Sequence, residues 1–100
     1  MPLLRGPGTA AVSGKGIDFV MVNDTGTTVL CMVTQETIDD LANLDSSADF
    51  DPPSVKPLRL HMNWQTEIER MASQKYDAGD LTHGMVVIAP HDLLKAGIIP

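Results

Sequence analysis

A single cysteine, Cys31, leaves this chain of 100 residues without an intrachain disulfide, and a lone thiol fits a reducing compartment better than an oxidising one. Basic residues are scarce as well. Seven Lys and Arg stand against thirteen Asp and Glu, for a formal charge of −6. Arg5, Lys15, Lys56, Arg59, Arg70, Lys75 and Lys95 are scattered rather than clustered. Phosphate backbones are held largely by Lys and Arg, so nucleic acid is set aside as a partner. No window approaches the ~20 apolar residues of a membrane span. Residues 1–16 lack the roughly 7 to 15 residue apolar stretch of a signal peptide. The expected location is cytoplasmic, with no membrane association.

Motifs for cofactor or metal chemistry are missing too. "GTAAVSGKG" resembles a phosphate-binding loop only superficially: five residues separate Gly8 from Gly14, Gly16 follows Lys15, and no strand precedes it. His83 and His91 flank a short apolar run. If that run is extended, they stand roughly 26 Å apart at ~3.3 Å per residue, too far to share an ion. His61 has Gln65 rather than a ligand one helical turn on. Cys31 sits among Leu30, Met32 and Val33 and reads as a small buried hydrophobe, because activation of a thiol needs an adjacent cation or helix N-terminus. The carboxylate pairs Asp39 with Asp40 and Glu67 with Glu69 read as solvated charge. No catalytic residue, metal or cofactor is assigned.

What is present is the patterning of one small domain. Hydrophobic content of 43% over 100 residues supports one core and not two. Residues 1–16, with four Gly and two Pro and no apolar period, read as a flexible leader. "IDFVMV" and "TTVLCMV" are β-branched runs around "NDTG", the signature of a hairpin turn. Both runs are apolar on both faces, so neither face is expected to be fully solvated. Thr34 caps a short helix, "QETIDDLANL". Residues 45–57 read as an exposed acidic loop with Phe50 as its one tether.

A long helix is expected over residues 57–77, opened by Pro57 and stopped by Gly79. Its wheel gathers His61, Trp64, Ile68, Met71 and Ala72 in one sector. "MVVIA", residues 85–89, is a third strand, and residues 94–100 a short tail. The fold class is therefore α+β: residues 17–93 form an antiparallel sheet of three or four strands in the order β-β-α-α-β, packed against one long helix.

"GIDFVMVNDTGTTVLCMVTQETIDDL", "EIERMASQKYDAG" and "GMVVIAPHDL" together resemble the bacterial family known as domain of unknown function 1488, over about residues 16–93. The positions that carry the resemblance are Cys31, Val33 and Thr34, then Ile68, Glu69, Ala72, Lys75 and Tyr76, then Gly84, Asp92 and Leu93. Family members carry an aromatic where His61 stands and a polar pair where Trp64 and Gln65 stand. The resemblance thus implies an α+β fold with His61 at a core position, and no activity.

The reading of function follows from these absences. No nucleophile, base and orienting group converge by spacing, which favours a non-catalytic interaction or regulatory module. The alternative is a small-ligand-binding protein or enzyme using His61, Trp64 and Cys31. A small sheet leaves open edges, so a homodimer through a sheet edge or helix face is expected, beside an unknown protein partner.

Overall fold

The computed structural model describes residues 3–6, 10–46 and 49–99. Its centre is the expected hairpin: β3 (Gly16–Val22) pairs with β4 (Thr28–Thr34) in unbroken antiparallel register from Gly16↔Thr34 to Val22↔Thr28. Asn23 organises the turn. Its Oδ1 accepts from the Thr25 and Thr27 amides at 3.0 and 2.9 Å, while Gly26 takes the left-handed φ of +83°. Its Nδ2 donates to the Tyr76 hydroxyl at 3.1 Å, so the same side chain anchors the turn to the helical layer.

The segment expected as a leader contributes structure in its described parts. β1 (Leu4–Arg5) and β2 (Ala11–Ser13) both pair antiparallel with the outer edge of β3, at Met21–Val22 and Gly16–Asp18 respectively. Leu3 is buried, its amide donating to Ser73 Oγ at 3.0 Å. Strands of two and three residues are too short to show a period in sequence. What orders them is the row of β3 backbone groups that needs partners.

β5 (Val86–Ile88) runs parallel to β4, with Cys31↔Val86, Met32↔Val87 and Val33↔Ile88 in register. The sheet is therefore mixed, not antiparallel, in the order β1-β3-β4-β5 with β2 also on β3, and it has five strands among the described residues. A parallel pair needs a long crossover, and the helices supply it. First comes α1 (Gln35–Leu44), whose N-cap Thr34 accepts from the Thr37 amide at 3.3 Å, as expected. Thr37 then donates its hydroxyl to Ile88 O at 3.0 Å, fixing α1 to β5.

The long helix is two helices: α2 (Lys56–Asn63) and α3 (Gln65–Asp77), broken at Trp64, whose φ and ψ are −108° and 15°. No Pro or Gly marks the break. The Trp64 indole N–H donates to Asp45 Oδ2 at 3.0 Å, at the C-terminal cap of α1, and Asn63 Nδ2 donates to the same oxygen at 3.4 Å. We attribute the break to this tertiary tether. The hydrogen bonds Trp64 N–H to Leu60 O and Ile68 N–H to Trp64 O survive it, so the apolar stripe runs through.

The acidic connection is exposed at most of its described residues, with Asp45, Asp51, Lys56 and Pro57 half-buried, and is held by Arg59 to Asp51 at 3.0 Å and Lys56 to Asp49 at 3.7 Å. Phe50 is not its tether, being 100% exposed. α4 (Pro90–Lys95) closes the fold, and Ile98 and Ile99 of the expected tail pack on the core. The class is α+β. Ile17, Phe19, Met21, Cys31 and Val33 point into one core beneath Leu41, Leu60, Ile68 and Leu93. No helix among the described residues is long and apolar enough to cross a membrane.

Candidate functional site

His61 lies on α2, 3% exposed, with its ring against Phe19 of β3, centroids 5.1 Å apart and planes tilted by 52°. Its Nδ1 is buried without a hydrogen-bond partner, alone in this among the side-chain polar atoms of the described residues. Such an atom costs on the order of 1 to 3 kcal/mol and calls for an explanation.

A cleft adjoins this ring. β1 covers β3 at Met21 and Val22, β2 covers it from Gly16 to Asp18, and among the described residues no strand pairs with Phe19 between them. The Gly6 amide still reaches Val20 O at 3.1 Å, an approach that needs glycine, since a Cβ there would meet that oxygen at 2.6 Å. The resulting cavity, about 360 Å³, has His61, Phe19, Leu58 and Met62 among its lining residues. Its polar lining includes Arg5 and Glu69, joined by two hydrogen bonds of 2.8 and 3.1 Å across 64 positions of sequence.

Burial holds the His61 imidazole below its ordinary value of 6.5, with Glu69 pushing it back up and Arg5 pushing it further down. A folded-state pKa below the unfolded one means that the unfolded chain takes up the proton first. Stability from this source is present above about pH 6.5 and is lost as pH falls through the lowered folded value. Urea unfolding of the native chain and of His61→Phe between about pH 7 and pH 5 checks this, above the range where carboxylates dominate. The native midpoint should fall more steeply than that of the variant; parallel slopes would contradict it.

The other two residues considered with His61 are elsewhere. Cys31 is 1% exposed, its Sγ–H directed to Val29 O at 3.6 Å, and burial pushes its thiol up to about 12, against a smaller lowering by a backbone hydrogen bond from Met21. A thiol held protonated is a poor nucleophile. It faces Phe19 across the ladder, whereas Trp64 is tied to Asp45 and is not in the cleft lining. His61, Trp64 and Cys31 thus do not form one site.

His83 occupies a turn at φ +51°, and the exposed His91 approaches Asp92 Oδ1 at 3.4 Å. Among the described residues no group of three or more His, Cys, Asp or Glu is placed to hold a metal ion.

Sequence reasoning did not find two further arrangements. Lys75 Nζ donates to Val87 O at 2.6 Å and to Asp92 Oδ2 at 2.8 Å, a largely buried junction of α3, β5 and α4. On the sheet face away from the core, Val20 stands opposite Leu30, Met32 beside Val87, and Leu4 opposite Val22. No helix among the described residues covers that face, and Leu30 and Leu4 are 55% and 65% exposed. The signal for it was the apolar alternation on both faces of the hairpin. Searches against protein-family models, curated proteins and solved structures return no match.

Proposed function

We propose that the chain is a non-catalytic interaction module that works as a homodimer through the open, apolar face of its sheet. One observation carries this reading: the row Leu4, Val22, Val20, Leu30, Met32 and Val87 lies on the sheet face away from the core, with Leu4 and Leu30 exposed and the other four half-buried. An antiparallel hairpin that faces water normally alternates apolar with polar residues, and the middle of β3 and β4, at Val20, Val22, Leu30 and Met32, does not. Contiguous apolar surface of this kind marks association.

Edge pairing, the other route to a dimer, has less to offer. β1 and β2 occupy the outer edge of β3, and the carbonyls of Val87 and Ile88 on β5 are taken by Lys75 and Thr37. Face-to-face stacking of two sheets at ~10 Å buries the apolar row instead.

A second copy fits the chemistry of the face. Asp18 is exposed on it, and Lys15 and Asp18 line one shallow depression with Met32 and Val87. A two-fold axis through the face lets each copy present its Asp18 to the other's Lys15, the self-complementarity that an isologous interface requires. No nucleophile and base converge among the described residues, which supports the non-catalytic part, and the buried, protonated Cys31 is compatible with a cytoplasmic setting.

Sedimentation equilibrium tests it. The native chain should be dimeric at about 50 μM, and Leu30→Glu monomeric with an unchanged circular dichroism spectrum; a large exposed residue costs the monomer within about 0.5 kcal/mol when replaced. A monomeric native chain, or a dimer indifferent to Leu30→Glu, would overturn the proposal.

A further inference from the structure

We infer that the cleft beside His61 is a binding site for a small, uncharged molecule with an apolar body and one hydroxyl group. Its volume of about 360 Å³ falls within the range of small-molecule pockets, about 300 to 1,000 Å³. Phe19, Leu58 and Met62 offer an apolar wall, and Phe19 is itself held in place by the His61 ring.

The charge of the lining selects against ions. Arg5 and Glu69 are the only charged residues lining it among the described residues, and they neutralise each other through two hydrogen bonds, so a charged ligand finds no free counter-ion there. An uncharged ligand leaves that pair intact.

The hydroxyl follows from His61. Its Nδ1 lacks a partner among the described residues, and a plain core position would be filled without that penalty by leucine or phenylalanine. In this ring orientation Nδ1 is closed off from solvent, and a ligand in the cleft reaches it when the ring turns about its Cβ–Cγ bond. A neutral imidazole carries one donor and one acceptor nitrogen, and a hydroxyl both donates and accepts, so it satisfies whichever nitrogen is presented.

Val20 borders both this cleft and the proposed dimer face, but Leu30, whose replacement tests the dimer, does not line the cleft. Leu30→Glu therefore separates the failure of one proposal from the failure of the other.

The test uses p-cresol and toluene, which share a ring and differ by the hydroxyl, titrated into the full chain to about 5 mM while the His61 ring signals are followed by NMR. The expected result is saturable binding of p-cresol with a Kd on the order of 1 mM. Toluene should bind about tenfold more weakly. Benzoate and benzylamine should not compete at the same concentration. In His61→Phe the preference for p-cresol over toluene should vanish; if that variant does not fold, the comparison on the native chain decides alone. Repeating the titration on Leu30→Glu should give the same Kd. No saturable shift at His61, equal affinity for toluene, effective competition by either charged probe, or loss of binding in Leu30→Glu would each overturn the inference.

Discussion

Gly16→Ala is expected to lower stability by about 4 kcal/mol or more, enough to leave a domain of this size partly unfolded. Gly16 has φ +144°, a conformation that residues with a side chain rarely adopt. A Cβ there would also lie 1.9 Å from Val33 O, 2.9 Å from the Thr34 carbonyl carbon and 3.0 Å from the Gln35 nitrogen. All three are backbone atoms, so no side chain can rotate away. Relief would have to pull apart the first rung of the β3–β4 ladder, Gly16↔Thr34, and the neighbouring bond from the Gln35 amide to Lys15 O at 2.9 Å. That bond sits where α1 begins, so both sheet register and helix start are disturbed. Gly26→Ala is the control: φ is +83° but nothing lies within 4 Å, which leaves only the conformational cost of about 1 to 2 kcal/mol. Urea unfolding of both variants measures the difference. Equal losses would show that strand β3 can shift at its start.

This position also shows where sequence reading reached and where it stopped. Gly16 was visible as the last residue of a glycine-rich stretch, but the contact that makes it indispensable is with Val33, across the hairpin. Local signals were sound. The Asn-Asp-Thr-Gly turn, the Thr34 cap and the apolar sector His61, Trp64, Ile68, Met71, Ala72 depend on neighbours in sequence, and each stands in the structure. β1 and β2 carry no signal of their own, because they are ordered by the vacant edge of β3. The break at Trp64 is set by Asp45, 19 positions away, while its own backbone bonds stay helical. Direction of β5 is likewise a tertiary matter, since an apolar run of three residues reads the same parallel or antiparallel. As for the site, burial of His61 was legible from the wheel. Its cleft was not, because Arg5 and Gly6 reach it only through β1.

Asp92→Ala should be comparably damaging, at about 3 to 5 kcal/mol, because it strands a buried ammonium rather than merely deleting an attraction. The side chains of Lys75 and Asp92 are 12% and 8% exposed, and their ion pair spans 2.8 Å. Asp92 Oδ2 also accepts from the Ala89 amide at 2.8 Å, so one carboxylate serves both the start of α4 and the cation on α3. Removing it leaves Lys75 with Val87 O at 2.6 Å and the exposed Asp80 at 3.7 Å. Neither replaces a buried counter-ion. Lys75→Met should cost less, about 2 to 3 kcal/mol, because the remaining carboxylate keeps its bond from Ala89 and the methionine stem fills the space. In the double variant Lys75→Met/Asp92→Ala the orphaned charge is gone, and a coupling of about 1 to 3 kcal/mol should be recovered relative to the sum of the single losses. Urea unfolding of the four chains closes the cycle, and additive losses would mean the pair acts as two independent caps. The variants bear on association as well. Lys75→Met frees the Val87 carbonyl on the edge strand β5, and an unpaired edge invites strand addition. Self-association of the double variant Lys75→Met/Leu30→Glu, where Leu30→Glu alone is monomeric, would identify Lys75 as the residue that keeps this edge from competing with the open face.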